Sequence, residues 1–184
     1  MNPNAMIRTD DSTALEQAWK FGSIISTAIT MSAAVAHLME MPGKMKYERE
    51  LYVRLHRTLY PTYGRTAGYA EVLAVLSTAA LAWWTQKRHL PAASLTTTAA
   101  GCLTAAHAIF WRLVAPVNKT MLRWDLDAIP PDWQNWRNQW EYSHATRAVL
   151  ATGALSALVL AALRYPDRSV MTAGEVTPKV VLTN

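Results

Sequence analysis

Six residues of this chain combine ionisable chemistry with apolar surroundings: His37, Glu40, Glu71, His107, Glu141 and His144. Each lies inside or at the edge of a long apolar stretch, where an ionisable group is costly and is a functional candidate by default. His37 and Glu40 stand three apart, as do Glu141 and His144, so each pair can serve one site from one helix face. Histidine and carboxylate donors suit iron, manganese, copper or zinc, and histidines from two helices can ligate a haem from both sides. Without a metal, His144 is a candidate acid or base oriented by Glu141 or Arg147, while Asn118 and Arg137 can stabilise an oxyanion on an aromatic ring. Trp136, Trp140, His144 and Ala148 recur at every fourth position, with Trp133 and Arg147 beside the stripe. On a helix they share a face, which makes Trp140 and Trp136 candidate walls for a substrate.

These residues need elements to carry them. Apolar segments run over residues 19–39, 66–84, 92–114 and 144–163, separated by charged links. About 20 residues at about 1.5 Å each match a hydrocarbon core of about 30 Å. A mean hydropathy of only +0.02 averages over this alternation and hides it. The predicted fold is all-α, a four-transmembrane-helix antiparallel bundle, because lipid admits only helices or closed barrels. Between the first two spans, residues 44–64 place Tyr47, Leu51, Leu55 and Leu59 in one row and Tyr52, His56 and Tyr60 in the next. That is an amphipathic helix on the membrane surface or an aqueous extension of a neighbouring one. The last helix is expected to start in water behind an Asp132 cap, with a Trp-rich extension, and then enter lipid. The first span is expected to end at Glu40, Pro42 and Gly43, and Gly101 with Ala105 to allow close helix packing. Residues 1–18 read as a polar N-terminal tail, 19–163 as a single membrane domain and 164–184 as a disordered C-terminal tail.

An up-down-up-down bundle puts the end of span one, the start of span two, the end of span three and the start of span four on one side. All six ionisable residues then fall on that side. HxxE on one helix and ExxH on another, with a Glu and a His from the other two, approximate the donor set of carboxylate-bridged di-metal bundles. His37, Glu40, Glu71, His107, Glu141 and His144 are thus the candidate metal ligands. Each residue also has a plain structural reading. Arg137 with Glu141 and His144 with Arg147 make a charge ladder, and Glu40 neutralises Lys44. His37 and His107 pack between helices. The tryptophans form an interfacial belt. His56, between Arg54 and Arg57, faces water or headgroups.

Net charge is +5 and the isoelectric point about 9.5. Lys and Arg concentrate beside the apolar stretches, as membrane flanks do, so no nucleic-acid partner is expected. The single cysteine, Cys102, allows neither an internal disulfide nor a zinc finger.

The segments AHLMEMPGKM (36–45), APVNK (115–119) and W-x2-W-R-x2-W-E-x2-H-x2-R (133–147) resemble a family of small four-helix membrane proteins grouped with anthrone oxygenases. The resemblance covers most of residues 20–163, with Pro116, Asn118, Arg137, Trp140, His144 and Arg147 as its markers. It implies a four-span fold and oxidation of an aromatic, quinone-like substrate, in relatives that work without an obvious cofactor. The expected protein is therefore an integral membrane oxidoreductase or oxygenase acting on a lipophilic small molecule, in a bacterial inner (plasma) membrane. Iron, copper, haem and cofactorless chemistry all stay open. The alternative is a non-enzymatic accessory subunit, or a lipid- or pigment-binding component, of an oligomer or larger membrane complex.

Overall fold

A computed structural model describes residues 3–165. The elements are α1 (Pro3–Lys44), α2 (Arg49–Thr58), α3 (Tyr60–Lys87), α4 (Ala93–Ile109), a π-helical turn (Phe110–Val114), α5 (Ala115–Met121), a 3₁₀ turn (Leu126–Ala128) and α6 (Trp133–Arg164). No strand occurs among the described residues. Four helical stretches are long and apolar enough to cross a membrane: Ala14–Lys44, Tyr60–Lys87, Ala93–Met121 and Trp133–Arg164.

The four spans pack as a closed ring, α1 on α3, α3 on α4, α4 on α6 and α6 back on α1. Small side chains form the seams: Ala74, Ala99, Ala154 and Ala157 sit buried with Leu81, Leu103 and Leu158. Lipid offers no hydrophobic drive between helices, so close backbone approach and van der Waals packing must hold them together. Phe21, Ile29, Leu73, Leu76, Val149 and Leu163 point outward and are exposed. A water-soluble bundle does not present such a surface over four long helices. The chain is an all-α integral membrane bundle.

Several local expectations are corrected. The first helix reaches back to Pro3 and contains Pro42, so Glu40 does not end it. Pro42 lies in the last turn, where its missing N–H forfeits a single intrahelical bond. Asp132 makes no side-chain cap; its backbone carbonyl instead accepts from the Asn135 N–H at 2.9 Å. Gly101 and Ala105 face outward, and a Cβ on Gly101 would meet nothing within 4 Å. The seam is made on the other face of α4, by Ala99, Leu103 and Ala106. Arg164 closes α6, and residues 166–184 of the expected C-terminal tail lie outside the described residues.

The π turn has a consequence for the site. Regular spacing on from Ala106 would bury Leu113, yet Leu113 is 42% exposed and Val114 is fully buried. One extra residue in the turn slips the buried face, so that α5 presents Val117, Asn118 and Met121 inward. Pro116 supplies the reason: it has no N–H to donate and crowds the carbonyl four residues back.

A second core lies at this end. Tyr52 and Val53 of α2 pack with Val117, Met121, Trp133 and Trp140. The amphipathic stretch therefore turns its Tyr52–His56–Tyr60 row inward, while Leu51 and Leu59 are exposed. His56 is only 2% exposed, which corrects its reading as a solvated residue, and Trp133 and Trp140 are core rather than an interfacial belt.

Candidate functional site

Between the spans, at the end covered by α2 and α5, lies a cavity of about 370 Å³ lined by residues of all four. His37 of α1, Glu71 of α3, His107 of α4 and His144 of α6 all face it, as do Asn118, Trp140 and Arg147. The one-sided gathering expected from the topology therefore holds for these residues. Glu40, Trp136, Arg137 and Glu141 are not among the lining residues.

The two central histidines come from opposite sides of a tight helix pair. Their ring centroids are 4.6 Å apart in an edge contact. His37 also meets the rings of Tyr60, Tyr63 and Trp140 at 5.2, 5.1 and 5.0 Å. His144 lies against Trp140 at 3.8 Å. Its Nδ1 is 2.9 Å from the Trp140 carbonyl, one turn back on the same helix. A carbonyl only accepts, so Nδ1 carries the hydrogen and, in the neutral ring, Nε2 carries the lone pair. Glu141 or Arg147 was expected to orient this imidazole; its Nδ1 is held by a backbone carbonyl instead.

The carboxylates are each taken by a cation. Glu71 accepts from Arg147 Nη2 at 2.6 Å, and His107 Nδ1 lies 3.4 Å from its other oxygen. His107 Nε2 accepts from Trp111 Nε1 at 2.9 Å, which leaves Nδ1 as the protonated nitrogen facing Glu71. Glu141, whose side chain is fully buried, meets Lys44 Nζ at 3.1 Å and accepts from Tyr52 Oη at 2.9 Å. Glu40 is half-exposed and lies 3.5 Å from Lys44 and 3.7 Å from His37. Along α6 the expected charge ladder is thus replaced by bonds between helices, while Glu40 meets Lys44 within α1 as expected.

The six candidate ligands consequently fall into separate groups: the His37–His144 pair, Glu71 with Arg147 and His107, and Glu40 and Glu141 about Lys44. Among the described residues, no three His, Cys, Asp or Glu side chains are placed to hold one metal ion. A carboxylate paired with Arg or Lys has already spent its charge on that partner. The histidine rings in edge contact leave no gap for a porphyrin plane between them. This donor arrangement does not bring the six residues into one metal site, and the His37–His144 pair is too close to hold a haem between its rings.

The remaining candidates have structural partners. Asn118 Oδ1 accepts from Trp140 Nε1 at 2.8 Å, fixing the indole that walls the cavity. Arg137 donates to the Met45 carbonyl at 3.0 Å and lies over the Trp133 ring, so it ties α6 to the α1–α2 link. Trp136 packs against Trp124, away from the cavity.

Sequence reasoning passed over Tyr60, which lines the cavity, and Lys44, Tyr52 and His56, which pack against Trp140 and Glu141 behind it. Lys44 is 2% exposed; besides its carboxylates it donates to Tyr60 Oη at 3.4 Å and lies 4.7 Å above the Trp140 ring. Outside the spans, burial lowers the His56 pKa to about 4, with the Lys44 charge adding to the effect and a hydrogen bond to Asn118 opposing it. Burial and the neighbouring Glu141 push the Tyr52 hydroxyl far up, so it stays protonated as a donor. The signal was present in the inward Tyr52–His56–Tyr60 row and in the Glu40–Lys44 spacing, but nothing in the sequence says which row faces in.

No family model, curated protein or solved structure matches the chain.

Proposed function

We propose that the cavity binds a lipophilic phenol, hydroquinone or anthrone-like molecule and that the protein is a membrane oxidoreductase of oxygenase type. The observation that carries this reading is the His144 ring, held by Nδ1 on the Trp140 carbonyl so that Nε2 is the free base, in a cavity walled by aromatic rings. Trp140, Tyr60, Tyr63 and Phe110 suit a flat ring. Nε2 takes the proton of a phenolic hydroxyl, and the imidazolium so formed offsets the charge of the aryloxide. That anion is electron-rich and is oxidised by dioxygen as co-substrate. A hydroquinone losing two protons and two electrons in this way gives the quinone, and dioxygen becomes hydrogen peroxide. An anthrone exchanges the two hydrogens of its methylene carbon for one oxygen atom of dioxygen, and the other oxygen leaves with those hydrogens as water. The reading extends the anthrone-oxygenase resemblance of residues 36–45, 115–119 and 133–147 to this chain.

The test is turnover of hydroquinones and anthrone under dioxygen by the full chain in phospholipid nanodiscs. His144→Gln should lower turnover by about 10²–10⁴-fold, the usual contribution of a positioned acid or base. Wild-type turnover in that variant would remove the assignment. Tight binding of the ring compound with no turnover by the wild type would favour the ligand-binding accessory component instead.

A further inference from the structure

The cavity has one closed end and one open side. Toward water it is covered by the second core, where Lys44, Tyr52, Val53, Val117, Met121 and Trp140 are each no more than 2% exposed. The lining residues contributed by α1 and α6 are buried or half-buried. Those open to the outside are Gly64, Arg65, Tyr69 and Val72 on α3 and Trp111 at the π turn. Tyr69 is 78% exposed and Trp111 62%. On α3 these positions lie about 6–18 Å from the helix start, which runs from the interface into the hydrocarbon layer. Arg65 marks the outer edge of the opening and Val72 its inner edge.

We infer that this side opening, between α3 and the π turn, is a portal to the bilayer, and that the ligand is a phenol or quinone carrying an apolar tail. The inference rests on the ring-binding reading given above and adds the ligand's second half. Its size supports the division of the molecule. At about 370 Å³ the cavity stands at the small end of the range of about 300–1,000 Å³ for small-molecule sites. A ring head fills it, and an alkyl or isoprenoid tail has nowhere to go except out past Gly68 and Val72. The outer residues suit a tail and an interface: Val72 and Trp111 are apolar, Tyr69 is amphipathic, and Arg65 sits where headgroups begin. Gly64 and Gly68, one turn apart, place no side chain in the opening, and the space there is free, since a Cβ at either would meet no heavy atom within 4 Å.

The experiment uses the full chain in phosphatidylcholine nanodiscs and a decyl-benzoquinone bearing a diazirine midway along its tail. Photolabelling followed by peptide mapping should place the tail on Tyr69, Val72 and Trp111, and excess tail-free dimethoxybenzoquinone should compete the label away. Gly68→Phe should cut labelling at least tenfold, and Gly101→Phe, on the outward face of α4 away from the cavity, should leave it within twofold. A thermal melt of each variant reports folding, and the wild-type label map needs no variant at all. If tail-free quinone competes but the tail labels the α2–α5 cover, the portal and the tail are wrong while the ring site stands. If tail-free quinone fails to compete, the ring site is wrong and this inference falls with it.

Discussion

Arg147 of α6 donates from Nη2 to Oε2 of Glu71 on α3 at 2.6 Å, with both side chains largely buried. His107 of α4 faces the other carboxylate oxygen at 3.4 Å, so groups from three of the four spans meet at this carboxylate. Removing either partner strands a charge in a medium that solvates it poorly. Arg147→Ala is expected to destabilise the bundle by about 3–5 kcal/mol. Glu71→Gln combined with Arg147→Gln should recover more than half of that loss. Thermal melts in detergent check this; a double variant no more stable than Arg147→Ala would show that the pair is not coupled.

Lys44 and Glu141 make a second buried pair, with side chains 2% and 0% exposed, which joins α1 to α6 behind Trp140. Lys44→Met leaves Glu141 with only the Tyr52 hydroxyl, and should cost about 3–5 kcal/mol. Lys44→Met with Glu141→Gln removes both charges and should be markedly more stable than Lys44→Met alone. Equal melting points for the single and double variants would contradict the pairing.

His56 imposes a pH dependence whose sign follows from its lowered pKa. The unfolded chain binds a proton below about 6.5, whereas the folded protein resists protonation until about pH 4. Between those values the unfolded state holds more protons, so stability falls as pH falls, by up to about 1.4 kcal/mol per pH unit. Above pH 6.5 this contribution is flat, and below about 4 it levels off. The difference in melting point between wild type and His56→Gln should shift against the wild type across that window. A difference independent of pH would mean that His56 is not held neutral by burial.

Asn118 is placed to hold Trp140 by the slip of the π turn. Asn118→Ala leaves the Trp140 N–H without its acceptor at 2.8 Å and should cost about 1–3 kcal/mol. Ring-ligand affinity should weaken as well, since Trp140 forms part of the cavity wall. Asn118→Asp keeps an acceptor oxygen and should retain the indole bond. An Ala variant with unchanged melting point and affinity would show that packing alone holds Trp140.

Much of this architecture could be read directly from residue patterns. Apolar length separates the spans, and short links force neighbouring spans to alternate in direction, so His37, Glu71, His107 and His144 had to meet at one end. That reasoning uses only covalent connectivity and the cost of polar backbone in lipid. The long α6 was equally legible, because nothing between Trp133 and Arg164 breaks a helix.

Partner choice was decided by the tertiary structure. Spacing allowed Glu141 to serve His144 or Arg137, yet it is bonded to Lys44 and Tyr52, on α1 and α2. Spacing allowed Arg147 to pair along its own helix, yet it reaches Glu71 across the bundle. A residue's neighbours along a helix are set by a fixed period of about 3.6, but its neighbours across a bundle depend on how each helix is rotated about its axis. That rotation comes from the packing of small seam residues and from the single extra residue at the π turn, and both are properties of helices in contact. The sequence by itself thus determined four spans and the end at which the ionisable groups gather. Packing determined which carboxylates are neutralised, that the His144 Nδ1 is taken by the Trp140 carbonyl, and where the cavity opens.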